Sequence, residues 1–122
     1  MSPAQEFHRQ AMAAARAADE ACALSTGSGP SDARARARGL LFQAFDYERQ
    51  AARSVDPTLE PSRSVLYRSA ASLALECDLP AEALQLNAEA RHGAPPPEID
   101  AELTEVERHC QRLLGTMYQH AS

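Results

Sequence analysis

One residue type limits what this chain can become. Alanine fills 25 of its 122 positions, while valine and isoleucine together fill only four: Val55, Val65, Ile99 and Val106. A β-sheet draws its half-buried surface from β-branched and aromatic side chains, and this chain has too few to supply one. Ala, Leu, Arg, Glu and Gln, its common residues, are strong helix formers. The expectation is therefore an all-α protein, and the length suits a single domain. No stretch approaches the roughly 20 apolar residues that span a bilayer. The start, Met1-Ser2-Pro3-Ala4-Gln5-Glu6, lacks the basic and apolar regions of a secretory leader, so the predicted location is cytoplasmic and no membrane partner is expected. Three cysteines without a C-x-x-C spacing argue against a disulfide framework or a zinc finger.

Twelve Arg and no Lys face seventeen Asp and Glu, a net charge of −5. An acidic chain is repelled by a polyphosphate backbone unless its cations gather on one face. Arg34, Arg36 and Arg38 form the only basic run, and at 100° per residue Arg36 points away from the other two. Nucleic acid is therefore not an expected partner.

Punctuation divides the chain into five helical segments. Ser2-Pro3-Ala4-Gln5 opens the first, with Ser as N-cap, Pro at the first helical position and Gln three residues after the cap. Its apolar stripe is Phe7, Ala11, Ala14, Ala15, Ala18 and Cys22. The run Ser25-Thr26-Gly27-Ser28-Gly29-Pro30 reads as a loop. Ser31 or Asp32 caps a second helix reaching about Val55, with an inward face of Ala37, Leu41, Ala44, Phe45, Ala52 and Val55. A third helix starts at Pro61 and turns Leu66, Tyr67, Ala70, Leu73, Ala74 and Cys77 inward. A fourth runs from Pro80, near a capping Asp78, to Gly93. After the stiff joint Ala94-Pro95-Pro96-Pro97, a last helix spans about Glu98 to Gln119. Its stripe of Ile99, Leu103, Val106, Cys110, Leu113 and Met117 is narrow, the mark of a helix with one side on a surface and one side wet. That pattern predicts an intramolecular cap, with pairing between two chains as the alternative.

The third and fourth helices, with Tyr67, Ala70 and Ala71, the turn Cys77-Asp78-Leu79, then Ala83, Ala90 and Pro95, resemble a tetratricopeptide repeat. That unit is a 34-residue helix-turn-helix whose small residues let antiparallel helices approach closely. Ala74 and Asn87 stand where that family usually has aromatics. The phrase from Glu60 to Ala70 also resembles a segment of small bacterial proteins of this repeat class. The resemblance implies hairpins over 3–55 and 61–92, stacked as a short right-handed solenoid and closed by a capping helix over 98–119. It further implies that the first helix of a repeat lines a concave groove, which makes Arg68, Ser72 and Glu76 the candidate partner-binding residues. The family's terminal-carboxylate clamp uses Lys, Asn and Arg. Here there is no Lys, and Asn87 lies in the second helix of its pair, so that clamp is not expected.

Glu48 is the most informative single residue, because it falls inside the apolar face of the second helix. A carboxylate there needs a partner. Arg63 and Tyr67 share the inward face of the third helix, so the predicted pairing is Glu48 with Arg63, with the Tyr67 hydroxyl, or with both. His8 reads as solvated, and Cys22, Cys77 and Cys110 read as small buried hydrophobes. Glu102, Glu105 and His109 share a face of the last helix but lie on its wet side. No metal site, cofactor or catalytic group is expected, since phosphate loops, nucleophile elbows and zinc motifs are all missing from the sequence. The function these readings favour is a non-enzymatic module that binds a peptide or protein segment in a helical groove. The alternatives are a helical bundle with a small-molecule or metal site around Glu48 and Arg63, and a structural protein that self-associates through its last helix.

Overall fold

The computed structural model describes residues 2–24 and 31–121, the side chains of 31 and 117–121 excepted. It is all-helical: α1 Pro3–Leu24, α2 Ser31–Ser54, α3 Ser62–Glu76, α4 Pro80–Ala90 and α5 Pro97–Ala121, with no strand among the described residues. The run from Ser25 to Pro30 and the side chain of Met117 lie outside those residues. Each helix packs against the next in sequence, and α5 also reaches back to α3.

Helix starts and stops follow local chemistry. At α1 the Gln5 amide donates to Ser2 Oγ at 3.2 Å and the Ser2 amide donates to Gln5 Oε1 at 2.9 Å, the reciprocal capping box that the sequence predicts. Pro61 is the N-cap of α3 rather than its first helical residue. The α3–α4 turn corrects a second expectation. Asp78 does not cap α4, whose N-cap Leu79 has no side-chain bond; Asp78 instead terminates α3 in the left-handed region at φ 59°. The Asp78 amide donates to the Leu75 carbonyl and the Leu79 amide to the Ala74 carbonyl, a Schellman ending in which a short polar residue stands where glycine is usual.

The core is built mainly from methyl groups. Ala44, Ala51, Ala70, Ala71, Ala74, Ala83 and Ala90 are fully buried together with Phe45 and Leu103. A buried methyl contributes only about 0.8 kcal/mol, but short side chains bring helix backbones close enough for polar groups to bridge three of them. The α5 stripe is buried at Ile99, Leu103 and Cys110, while Leu113 emerges at the surface. The cap therefore engages the fold through its first half.

Candidate functional site

Glu48 is fully buried in α2, but its predicted partners are wrong. Nδ1 of His8, from α1, lies 2.8 and 3.1 Å from its two carboxylate oxygens. Ser69 Oγ, from α3, donates to Oε2 at 2.6 Å. A carboxylate only accepts, so Nδ1 carries the proton, and the ring's Nε2 has no partner among the described residues. The buried carboxylate thus joins three helices. This corrects the expectation of a solvated His8: only its outer edge is wet, with the side chain 46% exposed. The sequence held a signal for both partners. His8 sits four residues after Ala4 and three before Ala11, and Ser69 three after Leu66 and four before Leu73, so both fall on buried faces.

Arg63 and Tyr67 do point inward, but toward α4 rather than Glu48. Arg63 Nη1 donates to the Ala90 carbonyl at 3.1 Å and Nη2 to the Glu89 carbonyl at 2.9 Å, so the guanidinium closes the α4 C-terminus, where free carbonyls favour a cation. The guanidinium lies 4.7 Å above the centre of the Tyr67 ring. The Tyr67 hydroxyl donates to Glu89 Oε1 at 3.2 Å, and Arg53 grips both Glu89 oxygens at 3.0 and 2.8 Å. The Arg53 bond holds the Glu89 carboxyl below the usual range, while burial, reinforced by the Glu89 charge, pushes the Tyr67 hydroxyl up. The physical reason for the different pairing is that a helix end offers two carbonyls in a fork that suits guanidinium. Glu60 braces the same corner, accepting from the Ser64 amide, the Ser64 hydroxyl and the Ala94 amide.

The three candidate partner-binding residues follow one another at four-residue spacing along one face of α3 but have different surroundings. Arg68 is tied to Glu102 of α5 at 3.0 and 3.1 Å. Ser72 is exposed. Glu76 borders a groove of about 410 Å³ where α1, α2 and α3 meet, which is also lined by Ala18, Ala37, Leu41, Arg34 and Arg38. Through Arg38, Leu41 and Glu76 it runs into a smaller hollow of about 130 Å³ reaching Phe42 and Asp78. Phe42 is 50% exposed, its ring set edge-on to buried Phe45. Arg34 and Arg38 have no carboxylate partner among the described residues, whereas Arg9, Arg49, Arg53, Arg68, Arg91 and Arg108 each have one.

At the opposite ends of α1 and α3 lies a separate cleft of about 270 Å³. Cys22 lines the larger groove and Cys77 the smaller hollow beside it. Cys22 is exposed, against expectation, because it follows the last buried turn of α1. Burial pushes the Cys77 and Cys110 thiols up, away from the reactive thiolate. Among the described residues no three metal-binding side chains cluster, and no helix is long and apolar enough to cross a membrane. No family model matches the chain, and neither does any curated protein or solved structure.

Proposed function

We propose that the protein is a non-enzymatic interaction module, and that it holds a peptide segment in the groove between α1, α2 and α3. The observation that carries this reading is an exposed aromatic beside arginines that form no ion pair among the described residues. Phe42 and Leu41 offer an apolar anchor point, and Arg34 and Arg38, which form no ion pair among the described residues, line the groove together with Asp19 and Glu76. A long helical groove with an apolar strip and charged edges suits an extended or helical segment. The order of packing, each helix on its neighbour and α5 on the last hairpin, supports tetratricopeptide-like stacking.

Panning a random dodecapeptide display library against the whole protein tests the reading. Enriched peptides should share an apolar residue near an acidic one. Their affinity should fall at least about tenfold with Phe42→Ser and with Arg38→Glu, the size expected when a central anchor is removed. Failure to enrich any sequence, or enrichment of peptides indifferent to both substitutions, overturns it.

A further inference from the structure

The groove where α1, α2 and α3 meet holds charges of both signs that the chain does not pair. Arg34, Arg38 and Phe42 follow one another at four-residue spacing on α2, so two like charges repel along one face. Neither arginine forms an ion pair among the described residues. The carboxylates that line the same two hollows are Asp19 of α1, Glu76 of α3 and Asp78 of the turn after it. They form none either. All five residues are exposed. Their signs are sorted, with the cations on α2 and the acids on the elements packed against it. The same lining includes Leu41 and half-exposed Phe42.

A surface with its two signs set apart around an apolar residue fits a rotated copy of itself. In a two-fold dimer one patch meets the same patch, so a contact of one residue with another occurs twice, once in each direction. An acidic segment answers Arg34 and Arg38 but meets Asp19 and Glu76 with like charge. A second copy answers both signs. Withdrawing the Phe42 ring from water supplies the attraction, while exposed ion pairs add little each and chiefly fix register. Each copy carries a charge of −5, which opposes association at long range. The complex therefore belongs to the weak, reversible class.

We propose that the segment seated in the groove is α2 of a second copy of this chain, in a two-fold dimer with Phe42 near its centre and Arg38 of each copy on Glu76 of the other. This rests on the reading of the groove as an interaction surface and names its partner.

Sedimentation velocity of the whole protein from about 5 µM to about 0.5 mM tests it, at about 150 mM salt, where charges are screened beyond about 8 Å. The unaltered protein should pass from monomer to dimer across that range. Arg38→Glu and Glu76→Arg, both at exposed positions, should each weaken the dimer at least about tenfold, because the symmetry counts each reversal twice. An equimolar mixture of the two variants should recover association to within about threefold of the unaltered protein, since each reversed charge then meets its complement. Mixing would not repair damage to the fold of either variant. A protein that stays monomeric at the highest concentration overturns the proposal. So do variants that associate as tightly as the unaltered protein, or a mixture that associates no better than its components. The peptide reading fails separately: a monomeric protein that still enriches peptides loses only the second copy, and a dimer that enriches none loses only the peptide.

Discussion

Gly93 lies just past the end of α4, and a Cβ built there would sit 2.3 Å from Arg63 Nη1, 3.1 Å from Cζ and 3.3 Å from Glu60 Oε2. The nearest atoms belong to the end of a flexible side chain, so a methyl at 93 could in principle push the guanidinium aside. Here it cannot move without loss, because Nη1 and Nη2 are both committed to the α4 carbonyls of Ala90 and Glu89 and the guanidinium is stacked on Tyr67. Hydrogen bonds to charged groups contribute about 1.5–3 kcal/mol each. Losing one fully and straining the other gives an expected destabilisation of about 2 kcal/mol for Gly93→Ala. The backbone itself does not need glycine, since no glycine among the described residues has positive φ. Gly→Ala at a compatible position stabilises by about 0.4–1 kcal/mol through the unfolded chain. The sign should therefore reverse once Arg63 is gone. Gly93→Ala in an Arg63→Ala background should be neutral or stabilising by up to about 0.5 kcal/mol, a coupling energy above about 2 kcal/mol. Urea denaturation followed by far-UV circular dichroism on the four proteins of the cycle measures it. An equal cost of Gly93→Ala in both backgrounds would show that the methyl strains the loop and not the arginine cap.

Other substitutions separate the remaining interactions. Ser69→Ala removes the hydroxyl bonded to buried Glu48 and should cost about 2 kcal/mol, whereas Ser72→Ala, one turn further on an exposed face, should stay within about 0.5 kcal/mol; the same urea titration compares them. Asp78→Gly relieves a non-glycine residue at φ 59° and should raise stability by about 1 kcal/mol, read as a higher denaturation midpoint with an unchanged slope. Glu89 is held below the ordinary glutamate value by Arg53. Its folded form therefore binds fewer protons than the unfolded chain, and its contribution is complete above the unfolded value of about 4.3 and lost as pH falls through the folded one. Glu89→Gln should flatten that acid limb of stability against pH. Tyr67 has the opposite sense, because burial raises it: the neutral hydroxyl favours the fold below about pH 10, and that share disappears as pH rises through the raised folded value. Tyr67→Phe should remove the alkaline limb.

The sequence made the helices legible, because each begins or ends on a residue whose chemistry acts locally. The Ser2–Gln5 box and the prolines before α4 and α5 need only their neighbours to operate. The burial of Glu48 was legible for the same reason: helical spacing alone sets which face a residue shares. Its partner was not. Choosing among His8, Arg63 and Tyr67 depends on which helices meet at that level, and one stripe of alanines offers little shape to distinguish one neighbour from another. Arg63 misled because a charge opposite a charge is the obvious match in a sequence. A helix end is a stronger match for a guanidinium, yet its carbonyls belong to every residue alike and leave no mark in the letters. The groove beside Phe42 was equally hidden, since Phe42 falls outside the α2 stripe and the residues it meets, Glu76 and Asp78, come from the far end of another helix.

The two polar clusters divide the molecule's labour along its helices. Arg53, Arg63, Tyr67 and Glu89 bind α2, α3 and α4 into one block, with every charge spent on another part of the chain. His8, Glu48 and Ser69 bind α1, α2 and α3, and there the His8 Nε2 has no partner among the described residues. A buried carboxylate is held only by its hydrogen-bond partners, and removing one member of such a cluster is costly. Glu48→Leu leaves Ser69 Oγ without its acceptor and the His8 ring without its anchor, and should cost about 2 kcal/mol in the urea titration. An unchanged denaturation midpoint in that variant would mean that the bonds joining the three helices at Glu48 contribute nothing to the fold.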